Sequence, residues 1–188
     1  MILLAVVLTI FGQHWTVPQA SDWKIADENG AQVLRLVTPR GPLPGPRHPI
    51  QFALANTPDL QKVTVEGDMR PLGHSLMIVF AYRDAEHFDY AHLSIDTARE
   101  QSHHNGIFHV YEGERVRISP TDGPAAFAAS GRWQHVRLVW NGTSGEVRVS
   151  VDGKVIPALH AVDLSLRKGR VGLGSFDETA EFKNVKIE

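Results

Sequence analysis

From residue 23 onward, apolar and polar residues alternate with a period of two, and no stretch carries the 3.6-residue period of an amphipathic helix. This constrains the fold more than any other feature, because alternate residues of a strand face opposite sides of a sheet. Segments 23–27, 31–37, 49–55, 62–70, 75–83, 87–96, 106–112, 114–119, 133–140, 145–151, 170–176 and 180–187 read as strands. Turn sequences separate them: ADENG, PRGPLPGPRHP, PTDGP, NGTSG and VDGK. Asp152–Gly153 suits a two-residue hairpin turn, since both positions tolerate positive φ. Many short strands with Gly/Pro punctuation predict an all-β sandwich or barrel.

At 188 residues the chain suits one domain with a sizeable core. Nineteen basic residues against twenty-one acidic ones give no electrostatic case for nucleic acid, although a polyanion could bind locally. Without cysteine there is no disulfide framework and no thiol chemistry. The opening run MILLAVVLTIF is too short to span a bilayer and has the length of a signal-peptide core. Residues 1–20 are therefore expected to be an export signal ending at Ala20, and residues 21–188 a single secreted or periplasmic domain. Against this, no Lys or Arg precedes the run, and the alternative is a buried first strand.

The second half of the chain is more specific. RWQHVRLVWNGTSGEVRVSVDGKVI gives a strand opened by Trp133, a turn, a strand, a hairpin turn and a further strand. GRVGLGSFDETAEFKNVKI adds a Gly-rich strand, a loop and a closing strand. With FAYRDAEHFDYAHLS before them, these motifs in this order resemble the concanavalin A-like lectin/glucanase jelly roll. Within it, the chain is most similar to bacterial 3-keto-disaccharide hydrolase and laminin-G-like domains, over about residues 23–188. The resemblance implies an antiparallel two-sheet β-sandwich, a concave sheet used for oligosaccharide or polysaccharide, and structural calcium in some members.

Five of the ten histidines fall between residues 87 and 110. Alternation places Ala91, Leu93 and Ile95 toward the core, and Phe88, Tyr90, His92, Ser94 and Asp96 on the opposite face. Flat rings beside polar tips are what a sugar-binding floor requires. A hairpin onto 106–112 would fold His104 and Asn105 over the end of that face. Histidine titrates near neutrality, so His92 and His104 are the candidate catalytic residues. Arg83 or Arg47 would hold an anionic group, and Tyr90, Ser94, Asn105 and Phe88 would line the cleft. His87 reads as a bystander and His109 is undecided.

Other chemistries fit less well. No transition-metal site is expected, because His103 and His104 are adjacent and point apart on an extended chain. Calcium ligands, if present, would come from Asp27, Glu28, Asp177 and Glu178. The strand VTVEGDMR puts Glu66 and Asp68 on one face at a separation compatible with inverting glycosidases, but alternating charge there suits a solvated face better. The glycines of GRVGLGS lie on a strand, where they permit close packing rather than phosphate binding. Three functions remain: a glycoside hydrolase or lyase of the keto-disaccharide type, a non-catalytic glycan-binding module, or an adhesion or structural domain of laminin-G type that uses its loops.

Overall fold

Alternation produces fifteen strands among the described residues, 6–41 and 44–188 of a computed structural model. In chain order they are β1 (Val6–Ile10), β2 (Gln13–Val17), β3 (Trp23–Glu28), β4 (Ala31–Leu36), β5 (Gln51–Ala55), β6 (Lys62–Pro71), β7 (Ser75–Asp84) and β8 (His87–Ser94). There follow β9 (Gly106–Tyr111), β10 (Glu114–Arg117), β11 (Gln134–Asn141), β12 (Glu146–Val151), β13 (Lys154–Val162), β14 (Arg170–Ser175) and β15 (Ala180–Ile187). They pair antiparallel into an eight-stranded sheet, β1-β2-β5-β14-β7-β8-β9-β10, and a seven-stranded sheet, β13-β12-β11-β6-β15-β4-β3. The chain is thus an all-β, two-sheet antiparallel sandwich.

The inward residues of both sheets form one core. Leu76, Ile78, Phe80, Leu93, Ile107 and Leu173 of the larger sheet meet Leu34, Val65, Leu138, Trp140, Val149 and Phe182 of the smaller. Asp152 and Gly153 take φ of +48° and +77°, and the β12–β13 hairpin closes there as the sequence predicts. Gly174 lies where β14 runs close to β5: an added Cβ would sit 2.1 Å from the Gln51 carbonyl oxygen. The glycine is therefore a packing requirement of adjacent backbones.

Two features depart from the sequence reading. Residues 6–17, within the expected export signal, form the first hairpin of the larger sheet, and β2 pairs with β5. Trp15 and Val17 are fully buried, and the Trp15 indole donates to the Ile10 carbonyl at 3.2 Å. Their alternation with outward His14 and Thr16 is that of a strand, whereas β1, from the opening run, buries Ile10 and leaves Val6 and Val7 exposed. Residues 1–5 of that segment lie outside the described residues. The second departure is a bulge in β7, where Ala81 takes φ +51° and the pairing with β8 shifts. The extra residue leaves both Phe80 and Ala81 on the core side and turns Tyr82 onto the outer face.

Candidate functional site

The outer face of the larger sheet carries a second apolar cluster of Phe52, Leu54, Met77, Val79, Phe88, Tyr90, Phe108 and Val110, with Tyr82 packed on it. As predicted, Phe88, Tyr90, His92 and Ser94 share this face, opposite Ala91 and Leu93. It is not, however, an open floor: Phe88, Tyr90 and Ser94 are fully buried and His92 is 2% exposed. The segment preceding β5 reaches across to the β9–β10 turn, where His48 Nδ1 lies 2.8 Å from the Gly113 carbonyl and its ring packs edge-on against Phe88. Phe176, in the loop after β14, stacks over His92 at 6.3 Å. Alternation assigns a residue to a face but carries no information about what later crosses that face. Phe88, Tyr90 and Ser94 thus support the cleft from beneath and do not present a free sugar platform.

His92 is held on both sides. Its Nδ1 faces the His103 carbonyl at 2.8 Å and its Nε2 faces the Ser75 hydroxyl at 2.8 Å. A carbonyl only accepts, so Nδ1 carries the proton; the Ser75 hydroxyl also faces Glu178 Oε2 at 2.9 Å, so its single proton is shared between that carboxylate and Nε2. Burial, with smaller contributions from the neighbouring His104, Arg115 and His103, pulls its pKa down to about 3. A buried neutral imidazole with both nitrogens facing protein groups is a poor proton shuttle, which argues for His92 as a support rather than the expected acid or base.

His104 differs. Its Nδ1 lies 3.0 Å from Asp96 Oδ2 and 3.1 Å from Ser94 Oγ, which leaves Nε2 as the nitrogen with no protein hydrogen bond among the described residues. Asp96 Oδ2 also receives His74 Nδ1 at 2.9 Å, and this contact raises the His74 pKa. The His92 and His104 rings are 5.0 Å apart.

Beside His104 opens a cleft of about 150 Å³ lined by Arg47, Gln101, His103, Arg115, Phe176 and Asp177, with His92 behind them. The Arg47 and Arg115 guanidiniums lie 5.2 and 4.6 Å from the Phe176 ring centroid. Arg47 also pairs with Asp177 at 3.0 Å, and Arg115 reaches the Tyr90 hydroxyl at 3.4 Å. A larger, mainly apolar hollow of about 240 Å³ lies on the same sheet at the opposite end of β14, lined by Tyr82, Phe52, Leu54, His48 and Arg170 among others.

Several expectations are corrected. Arg83 is exposed near the β7–β8 turn and does not line the cleft. Asn105 is fully buried, takes φ +49° and donates to the Pro124 carbonyl at 2.8 Å, so it builds the turn into β9. The proposed calcium ligands are engaged separately. Asp27 accepts from the Gly30 amide and Glu28 from Arg35, Arg70 and Trp133. Glu178 accepts from the amides of His74 and Ser75, and Asp177 pairs with Arg47. Glu66 and Asp68 bind Arg137 and His135 on the outer face of the smaller sheet, as a solvated charged face would. His87 bonds Asp84, and His109 faces inward to Asp89 and Asp163, donor atoms of all three lying within 4.8 Å. Arg115 and Phe176 escaped the sequence reading because they come from distant segments, and the motif that contains Phe176 carries no local sign of its contact with Arg115.

Two antiparallel sheets in this order form a jelly-roll β-sandwich, a fold that solved structures of other proteins share. Among solved structures the chain is similar to carbohydrate-binding module CBM66 from Bacillus subtilis, at TM-score 0.65 and 18% identity over 93% of this chain and 94% of that one. It is also similar to a Bacillus subtilis protein of unknown function with a galectin-like fold, at TM-score 0.54 and 15% identity, covering 89% and 86% of the two chains. A third is xylan β-1,4-xylosidase from Bacillus halodurans, at TM-score 0.57 and 13% identity, covering 96% of this chain and 37% of that one. No family model matches the chain, and no curated protein sequence matches it.

Proposed function

We propose that this chain is a glycan-binding domain whose ligand lies on the outer face of the larger sheet. The observation that carries the reading is that one sheet bears both a polar cleft, built from Arg47, Arg115, His103 and His104, and an apolar hollow around Tyr82. Sugars present the same combination, an apolar ring face with a polar rim. The similarity to a carbohydrate-binding module along nearly the full length of both chains supports it. A two-carboxylate glycosidase is disfavoured because Asp177 alone supplies a carboxylate to the cleft and Arg47 neutralises it.

A second reading, hydrolysis or elimination on a 3-keto-disaccharide-type substrate, has one specific observation in its favour. Asp96 orients His104 through Nδ1, the arrangement of a carboxylate-supported base. One experiment separates the two. Oligosaccharides are titrated calorimetrically into the protein and into Tyr82→Ala and His104→Gln variants, and products are followed by chromatography. The binding reading expects Tyr82→Ala to weaken affinity about tenfold and His104→Gln to leave no turnover to lose. Product release that vanishes in His104→Gln would establish the enzyme instead.

A further inference from the structure

We propose that the cleft between Arg47 and Arg115 is a binding site for the carboxylate of an acidic sugar; this rests on the glycan-binding reading above and names the ligand class. Arg115 is partly buried at the start of β10, and no carboxylate approaches it within 4.0 Å among the described residues. Among the described residues the only polar protein contact of its guanidinium is the Tyr90 hydroxyl at 3.4 Å, too long to satisfy a five-donor group. Instead the guanidinium lies 4.6 Å from the Phe176 centroid and 5.8 Å from that of Phe108. An arginine supported by aromatic rings keeps its fork of N–H groups free for a planar acceptor, the geometry that a carboxylate matches bidentately.

Arg47 reaches the same Phe176 ring at 5.2 Å. Two like charges gathered at one ring repel each other unless an anion joins them. The Arg47–Asp177 pair is 56% and 37% exposed, so an incoming carboxylate competes with a weak contact. The His103 pKa is lowered, first by burial and then by Arg115 and Arg47, which reports positive potential inside the cleft. That potential is local, since the chain as a whole carries a net charge of −2. A volume of about 150 Å³ is well below the roughly 300 Å³ of a typical ligand pocket, so one charged ring or its carboxyl end fits.

The test is calorimetric titration of the full chain with oligogalacturonate and with its methyl ester, which differ in charge but not in ring structure. Sialyllactose and lactose form a second acid–neutral pair, and neutral fructan, xylan and glucan oligosaccharides, with a sulfated oligosaccharide, complete the set. The expected result is at least one acid bound tenfold or more tightly than its neutral partner, a preference that shrinks with added NaCl. Arg115→Ala should reduce that ratio to near one, and Arg115→Lys should restore part of it; unchanged melting temperatures establish that the variants fold. Equal affinity for acid and neutral partners, tighter binding of the sulfated sugar, or binding of neutral sugars alone would overturn the proposal and leave glycan binding intact. Absence of binding across the whole set would overturn both.

Discussion

Asp89 places its carboxylate 2.6 Å from His109 Nδ1, on the inward side of adjacent strands β8 and β9, and Asp163 approaches the same nitrogen at 3.2 Å. The outer-face residues Phe88 and Tyr90 flank Asp89 in sequence, so this polar cluster lies behind the cleft, through the thickness of the sheet. Asp89 is 1% exposed, and one of its oxygens has no hydrogen-bond partner.

A pH dependence follows from that burial. Desolvation pushes Asp89 up to about 6, and the hydrogen bond to Asp89 raises His109. Both groups hold protons more tightly when folded than at their ordinary values, roughly 3.9 and 6.5. Their contribution to stability is therefore fully present in acid, and is lost as pH rises through about 6 and on past the ordinary imidazole range. Melting temperatures of wild type and Asp89→Asn between pH 4.5 and 8 check this. Wild type should lose ground relative to the variant as pH rises, and a gain would show that the carboxylate stays ionised throughout.

His92 has the opposite sign. Its folded pKa is depressed to about 3, so the unfolded chain takes up a proton near 6.5 that the folded chain refuses. The stability it confers is present above about 6.5 and falls as pH drops toward 3, by up to about 1.4 kcal/mol per pH unit. His92→Gln should flatten the stability profile below pH 6.5, measured by urea unfolding at pH 4.5 and 7. If His92 is a support, this variant also costs about 1–2 kcal/mol at pH 7 by disturbing its buried contacts with the His103 carbonyl and Ser75, with sugar binding retained.

The first hairpin contributes a large apolar side chain to the core. Trp15→Ala should destabilise by about 3–5 kcal/mol, because the fully buried indole leaves a cavity between the sheets. Chemical denaturation checks it. A change below about 0.5 kcal/mol would mean that residues 6–17 do not pack with the rest of the domain.

Fold class was legible in the sequence because sheet alternation is a local property. Phe88, Tyr90, His92 and Ser94 could be set opposite Ala91 and Leu93 from spacing alone, and the Asp152–Gly153 turn from its φ requirements. Much of the site was not legible. The side chains of Arg47, Arg115 and Phe176 come from a loop, a strand start and a second loop more than a hundred residues from the first, and converge at one ring. Arg83, which looked equally suitable, points to solvent.

Period-two patterning by itself determined an all-β fold, sandwich or barrel, and the face on which each β8 side chain lies, since the backbone pleat leaves only two choices; the two-sheet sandwich was implied by the resemblance. Tertiary structure alone decided that this face is partly roofed, that a bulge at Ala81 redirects Tyr82, and that His92 is sealed while His104 keeps a free nitrogen. Those outcomes depend on contacts between segments far apart in the chain, whose approach is set by packing and loop closure rather than by any residue's neighbours.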